Sequence, residues 1–161
     1  MKKTISVLVE NQPAVLNKIT GLFSRRAFNI ESLAVGATDD KSISRITIIV
    51  DSGNNVVEQV EKQLNKLVEV IKVRTIEEHH MIGRELILVK VSANTRIRQD
   101  ILNVCQIMGG KIDDISPTSM TLELTETTEK VELFLELLRP FSILEVARTG
   151  LVALQKGTGG I

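Results

Sequence analysis

Apolar positions alternate, then recur at helical spacing, then alternate again. Ile5, Val7 and Val9 share one parity and predict a strand buried on one face over residues 5–9. Leu16, Ile19, Leu22 and Phe23 follow at helical spacing, and Arg25-Arg26 close that helix at the negative end of its dipole. In the next strand Phe28 and Ile30 share a parity while Leu33 and Val35 take the other, which predicts a bulge near Ser32. Asp39-Asp40-Lys41-Ser42 reads as a turn, and Ile46, Ile48 and Val50 as a third strand. Residues 52–55 read as a loop and helix start. Val57, Val60, Leu64 and Leu67 then form a second apolar stripe. A fourth strand places Ile71, Val73 and Thr75 inward, with Lys72 and Arg74 outward. Strand, helix, strand, strand, helix, strand is the order of the ferredoxin-like split βαβ fold.

Glu77 to Gly83 breaks the pattern, and the same order then begins again. Leu86 to Val91 predicts a strand, and Thr95 a cap for a helix bearing Ile97, Ile101, Cys105 and Met108. Gly109-Gly110 stops that helix. Ile112 to Ile115 and Met120 to Leu124 predict two strands. Thr127 or Thr128 caps a helix with Val131, Phe134, Leu135 and Leu138, and a last strand runs from Ile143 to Leu154. Residues 156–160, rich in glycine, read as a loose tail. The expected class is α+β, with two consecutive ferredoxin-like domains at residues 1–77 and 83–161.

The first repeat carries a signal that the second lacks. Pro13 suits the first helical position, which makes Gln12 the N-cap, and Gln is a poor one. The first-turn amides of Ala14, Val15 and Leu16 then face outward from the positive end of a helix, open to water or to a small carboxylate. Asn11 and Asn29 flank the helix and are expected at one edge of the sheet, where an Asn amide can donate to a carboxylate and accept from an ammonium. These residues point to a free amino acid.

With 20 basic and 20 acidic residues the formal net charge is zero, which disfavours a general nucleic-acid binder. No apolar run reaches the length of a membrane span, and a single cysteine fits a reducing, cytoplasmic setting. Enzymatic readings find little support. Cys105 lies on an apolar helical stripe, His79-His80 has no companion ligands, and adjacent carboxylates such as Asp39-Asp40 and Asp113-Asp114 point apart on an extended chain. No catalytic residue, metal ligand or cofactor is assigned to this chain.

A four-stranded unit of this size is marginal alone, and the strand from Phe28 to Val35 offers an edge for pairing. A symmetric dimer is expected to extend the sheet and to bring the Asn11 corner of one subunit near the second strand of its partner.

The segments Ser6-Val7-Leu8-Val9-Glu10-Asn11-Gln12-Pro13 and Ser24-Arg25-Arg26-Ala27-Phe28-Asn29-Ile30-Glu31-Ser32-Leu33 resemble the small regulatory subunits of acetohydroxyacid synthase (acetolactate synthase). So do residues 59–67, Arg84-Glu85-Leu86 and Glu145-Val146-Ala147-Arg148-Thr149-Gly150. The first half resembles an ACT domain, an amino-acid-binding module. The resemblance implies a non-catalytic homodimer that binds and activates a large catalytic subunit using thiamine diphosphate, magnesium and FAD. It also implies feedback inhibition by valine or a related amino acid in branched-chain amino-acid synthesis. Asn11 and Asn29 would hold the effector's polar groups, the amides of Ala14 and Val15 its carboxylate, and Leu16 and Ile30 its side chain. The family usually has Gly where this chain has Ala14, so the added methyl is expected to change affinity or selectivity. The alternatives are an ACT-type sensor serving another enzyme or a transcription regulator, or an independent enzyme on the same scaffold.

Overall fold

A computed structural model of the chain describes residues 2–51 and 54–161. The loop read at 52–53 lies outside them. The chain divides into two compact units, residues 1–82 with 151–161, and residues 83–150.

The first unit contains β1 (Lys2–Glu10), α1 (Val15–Arg25), β2 (Ile30–Ala37), β3 (Ile43–Asp51), α2 (Asn54–Leu64) and β4 (Val70–Ile76). Its sheet has the order β2-β3-β1-β4, with antiparallel neighbours. Ile5, Val7 and Val9 of β1 and Ile46, Ile48 and Val50 of β3 pack on Val15, Ile19, Leu22 and Phe23 of α1 and on Val57, Val60 and Leu64 of α2. Period two on the strands and period 3.6 on the helices thus meet in one core.

Two bulges set the side-chain faces. In β2, Ile30 pairs with Val50 but Ser32 already pairs with Ile49, so Glu31 is the extra residue. Ile30 and Leu33 therefore both reach the helix-side core, which accounts for the parity break read in the sequence. In β4, Lys72 faces Leu8 while Val70 faces Val9, which makes Ile71 the extra residue. Strict alternation would turn Ile71 inward; instead Val70 takes that place and Ile71 is exposed.

The second unit repeats the topology with the greater part of β5 (Met81–Ser92), then α3 (Arg98–Met108), β6 (Lys111–Ile115), β7 (Ser119–Glu126), α4 (Thr128–Leu138) and β8 (Ile143–Arg148), in the order β6-β7-β5-β8. The turn before α3 is held by Asn94, not Thr95: its Oδ1 accepts the N–H groups of Arg96 and Ile97 at 2.9 and 3.2 Å. Ile101, Cys105, Val131, Phe134 and Leu138 fill its core.

The predicted final strand from 143 to 154 is broken. Gly150 takes a left-handed φ of 78°, and β9 (Val152–Gln155) follows. The segment from Leu151 onward, placed by the sequence in the second domain, groups with the first unit. Leu151 and Ala153 are buried against Ile49 and Ile76, on the sheet face away from the helices. The glycine-rich stretch beyond is tied down rather than loose. Lys156 donates its N–H to the His80 carbonyl at 2.7 Å, and Arg74 Nη1 donates to the Gly160 carbonyl at 2.9 Å.

Candidate functional site

The junction between β1 and α1 is built by backbone bonds. Asn11 donates its N–H to the Ser42 carbonyl at 2.7 Å and its Nδ2 to the Lys41 carbonyl at 2.9 Å, so the β2–β3 turn fixes its side chain. Among the described residues, none donates to its Oδ1. Gln12 donates back to the Glu10 carbonyl at 2.9 Å, which reverses the chain.

The helix starts two residues later than Pro13. Ala14, not Gln12, is the N-cap, with φ 68° and ψ −4° in the left-handed region. A non-glycine residue there costs about 1 kcal/mol. The position suits glycine, which explains physically why glycine is expected there. Among the described residues no side chain caps the helix, and its first turn carries no acid. Val15 N–H reaches the Gln12 carbonyl only at 3.4 Å. The N–H groups of Ala14, Leu16 and Asn17 have no hydrogen-bond partner among the described residues. The positive end of α1 is thus open, while Val15 itself is turned into the core.

Asn29 lies elsewhere. It is exposed, just ahead of β2, and Ile30 after it is half-buried. β1 ends where Glu10 faces Ile43, whereas β2 begins where Ile30 faces Val50. Asn11 and Asn29 of one chain therefore stand at opposite ends of the sheet, not at one edge. The reason is that β2 runs parallel to β1, so α1 must carry the chain back along the full strand length.

Two exposed apolar side chains lie on the α1 side of this sheet. Leu16, in the first turn of α1, is 41% exposed, and Val35, which pairs with Ile46 on the helix-side face of edge strand β2, is 48% exposed. The sequence marks Val35 for its parity and for the strand edge, not as a site residue. Its signal is the parity after the bulge, which puts it on the same face as α1.

Burial, and then the charge of Asp113, push the Cys105 thiol above its ordinary pKa, the reverse of what a nucleophile needs. His79 and His80 sit in a short 3-10 turn, their carbonyls taken by Lys156. Among the described residues, no group of three or more His, Cys, Asp or Glu side chains gathers as a metal site. No helix among them is long and apolar enough to cross a membrane. Arg148 holds Glu85 and Glu132 within the second unit, and its guanidinium pKa is raised chiefly by the bond to Glu85.

Comparison with known proteins covers both units. Residues 5–72 match the family model for the AHAS small subunit-like ACT domain, and residues 84–157 match that for the small subunit of acetolactate synthase. The chain is 47% identical to the acetolactate synthase small subunit of Mycolicibacterium smegmatis, over 98% of this chain and 93% of that one. It is 49% identical to a probable acetolactate synthase small subunit of Archaeoglobus fulgidus, over 98% of each. The crystal structure of the small subunit from Thermotoga maritima superposes with a TM-score of 0.92 at 38% identity, over 99% of both chains. A βαββαβ unit of the ACT type followed by a second ferredoxin-like unit, matched along nearly its whole length, makes this chain a member of the acetolactate synthase small-subunit family.

Proposed function

We propose that this chain is a cytoplasmic regulatory subunit of acetolactate synthase. It binds a large catalytic subunit, raises its activity and confers feedback inhibition by valine or another branched-chain amino acid. Thiamine diphosphate, magnesium and FAD belong to that catalytic partner, and the reaction feeds branched-chain amino-acid synthesis. The observation that carries this reading is the match to acetolactate synthase small subunits along nearly the whole chain.

The effector site combines two chains. The open amides at the tip of α1 receive the carboxylate, Asn11 Oδ1 accepts from the ammonium, and Leu16 with Val35 meets the aliphatic side chain. Asn29 and Ile30 come from the partner. An antiparallel pairing of edge strand β2 with its copy puts the Ile30 end of one strand beside the Ala37 end of the other, which is the Asn11 end of that subunit. A homodimer formed through β2 supplies each site with both asparagines.

The test is end-product control in the reconstituted holoenzyme. With Asn11→Ala plus Asn29→Ala, valine inhibition is expected to vanish while the small subunit still activates the large one. Inhibition equal to wild type overturns the site. Failure of the wild-type chain to activate a catalytic subunit overturns the function.

A further inference from the structure

The bulge in β2 ties the proposed effector site to the far end of the chain. With Glu31 as the extra residue, Ile30 faces the helices while Ser32 is sent to the opposite face, beside Ile49. There Ser32 Oγ accepts the N–H of Leu151 at 3.1 Å. Leu151 is the first residue of a strap, 151–161, that covers this face. Leu151 and Ala153, 8% and 1% exposed, pack on Ile49 and Ile76. Arg45 bridges the face itself to the strap's end, donating Nη1 to the fully buried Ser6 hydroxyl at 2.8 Å and Nη2 to the Ile161 carbonyl at 3.4 Å.

We propose that Ser32 is a positioning residue that couples effector binding to this strap, a reading that rests on the effector site proposed above. A bulge is an element with discrete alternatives. Moving the extra residue one position on, from Glu31 to Ser32, pairs Glu31 with Ile49 and takes Ser32 out of the ladder, which breaks its bond to Leu151. Asn29 and Ile30 lie directly ahead of Glu31, so a ligand that holds them holds the bulge in the register that presents Ser32 to Leu151. Binding and strap attachment then strengthen one another. Coupling of this kind is reciprocal: whatever factor the ligand adds to strap attachment, the attached strap adds to ligand affinity.

The full-length chain is titrated with valine, isoleucine and leucine in turn by calorimetry, and amide exchange of Leu151 and Ala153 is followed with and without the amino acid that binds. Saturation is expected to slow both amides about tenfold. Ser32→Ala is expected to bind about tenfold more weakly and to lose the slowing, and Ser32→Thr, which keeps a hydroxyl acceptor, to restore both. A merely structural role for Ser32 predicts faster exchange in the alanine variant with or without ligand, and no ligand dependence in wild type. Binding by the wild type with unchanged exchange at Leu151 overturns the coupling and leaves the effector site standing. Binding of none of the three overturns the effector site and the coupling with it.

Discussion

Asn11 and Asn29 of one chain are separated by the length of β3 between Ile43 and Val50, about 23 Å at a strand's rise per residue. No single small amino acid spans that distance. If both asparagines serve one effector, they come from different subunits, and the two single variants must complement each other. Asn11→Ala alone and Asn29→Ala alone are each expected to lose valine binding. Mixed in equal amounts and allowed to exchange subunits, they are expected to regain roughly a quarter of the wild-type sites, because a heterodimer holds one intact site and one doubly damaged site. Calorimetric stoichiometry checks this. No recovery after proven subunit exchange rejects the shared site.

Ala14 gives a prediction about stability and binding together. Its left-handed φ of 68° is a conformation that glycine adopts freely. Ala14→Gly is expected to stabilise the first unit by about 1 kcal/mol, raising the melting temperature by roughly 2–4 °C. A lower melting temperature would mean that the methyl makes a contact worth more than the strain. A parallel titration with valine isolates the methyl's effect on the ligand, and equal affinities make it irrelevant to binding.

Arg148 forks Glu85, Nε to Oε1 at 2.6 Å and Nη2 to Oε2 at 3.0 Å, with Nη1 on Glu132 at 2.8 Å. Glu85 is only 4% exposed, so removing the cation strands a buried carboxylate. Arg148→Met is expected to cost the second unit about 2–3 kcal/mol in denaturant unfolding, less than for a fully buried pair because Arg148 keeps some solvent. Adding Glu85→Leu is expected to recover a good part of that loss. A loss that is the same with and without Glu85 would show that the fork contributes little.

The β2–β3 turn carries a pH signature. Asp40 Oδ1 accepts the hydroxyl of Ser42 at 2.6 Å and its N–H at 2.9 Å, and these bonds hold the carboxyl below its ordinary pKa. A carboxylate whose pKa is depressed by folding stabilises the fold above its unfolded pKa, and that contribution fades as pH falls through the folded value. Ser42→Ala is expected to raise the Asp40 pKa in an NMR titration and to lower stability at neutral pH. The stability gap should close under acid conditions. A gap that persists at low pH would assign the effect to something other than this carboxylate.

The alternating and helical periods carried both βαββαβ units, since each buries one face of its sheet under two helices. Even the bulge at Glu31 was legible, because Ile30 and Leu33 are large enough to betray a change of parity. The bulge at Ile71 was not: Val70, Ile71 and Val73 are all apolar, and composition does not say which is turned out. Ala14 hid the late helix start, since alanine favours helix and gives no hint of a left-handed φ. The strap was illegible for another reason. Leu151 and Ala153 alternate as any strand would, and what holds the glycine-rich end is a set of side chains far away in the chain, Arg45 and Arg74. Nor does sequence reveal that Asn11 is already bonded to Lys41. The far placement of Asn29, by contrast, follows from the split βαβ order itself, because a helical crossover joins parallel strands.

The route of the chain has a consequence for biogenesis. A polypeptide leaving the ribosome makes β1 to β4 early, yet the residues that seal Ile49 and Ile76 are translated only after the entire second unit. The nascent first unit must wait with an apolar patch uncovered, a period in which premature pairing with another unfinished copy competes with native closure.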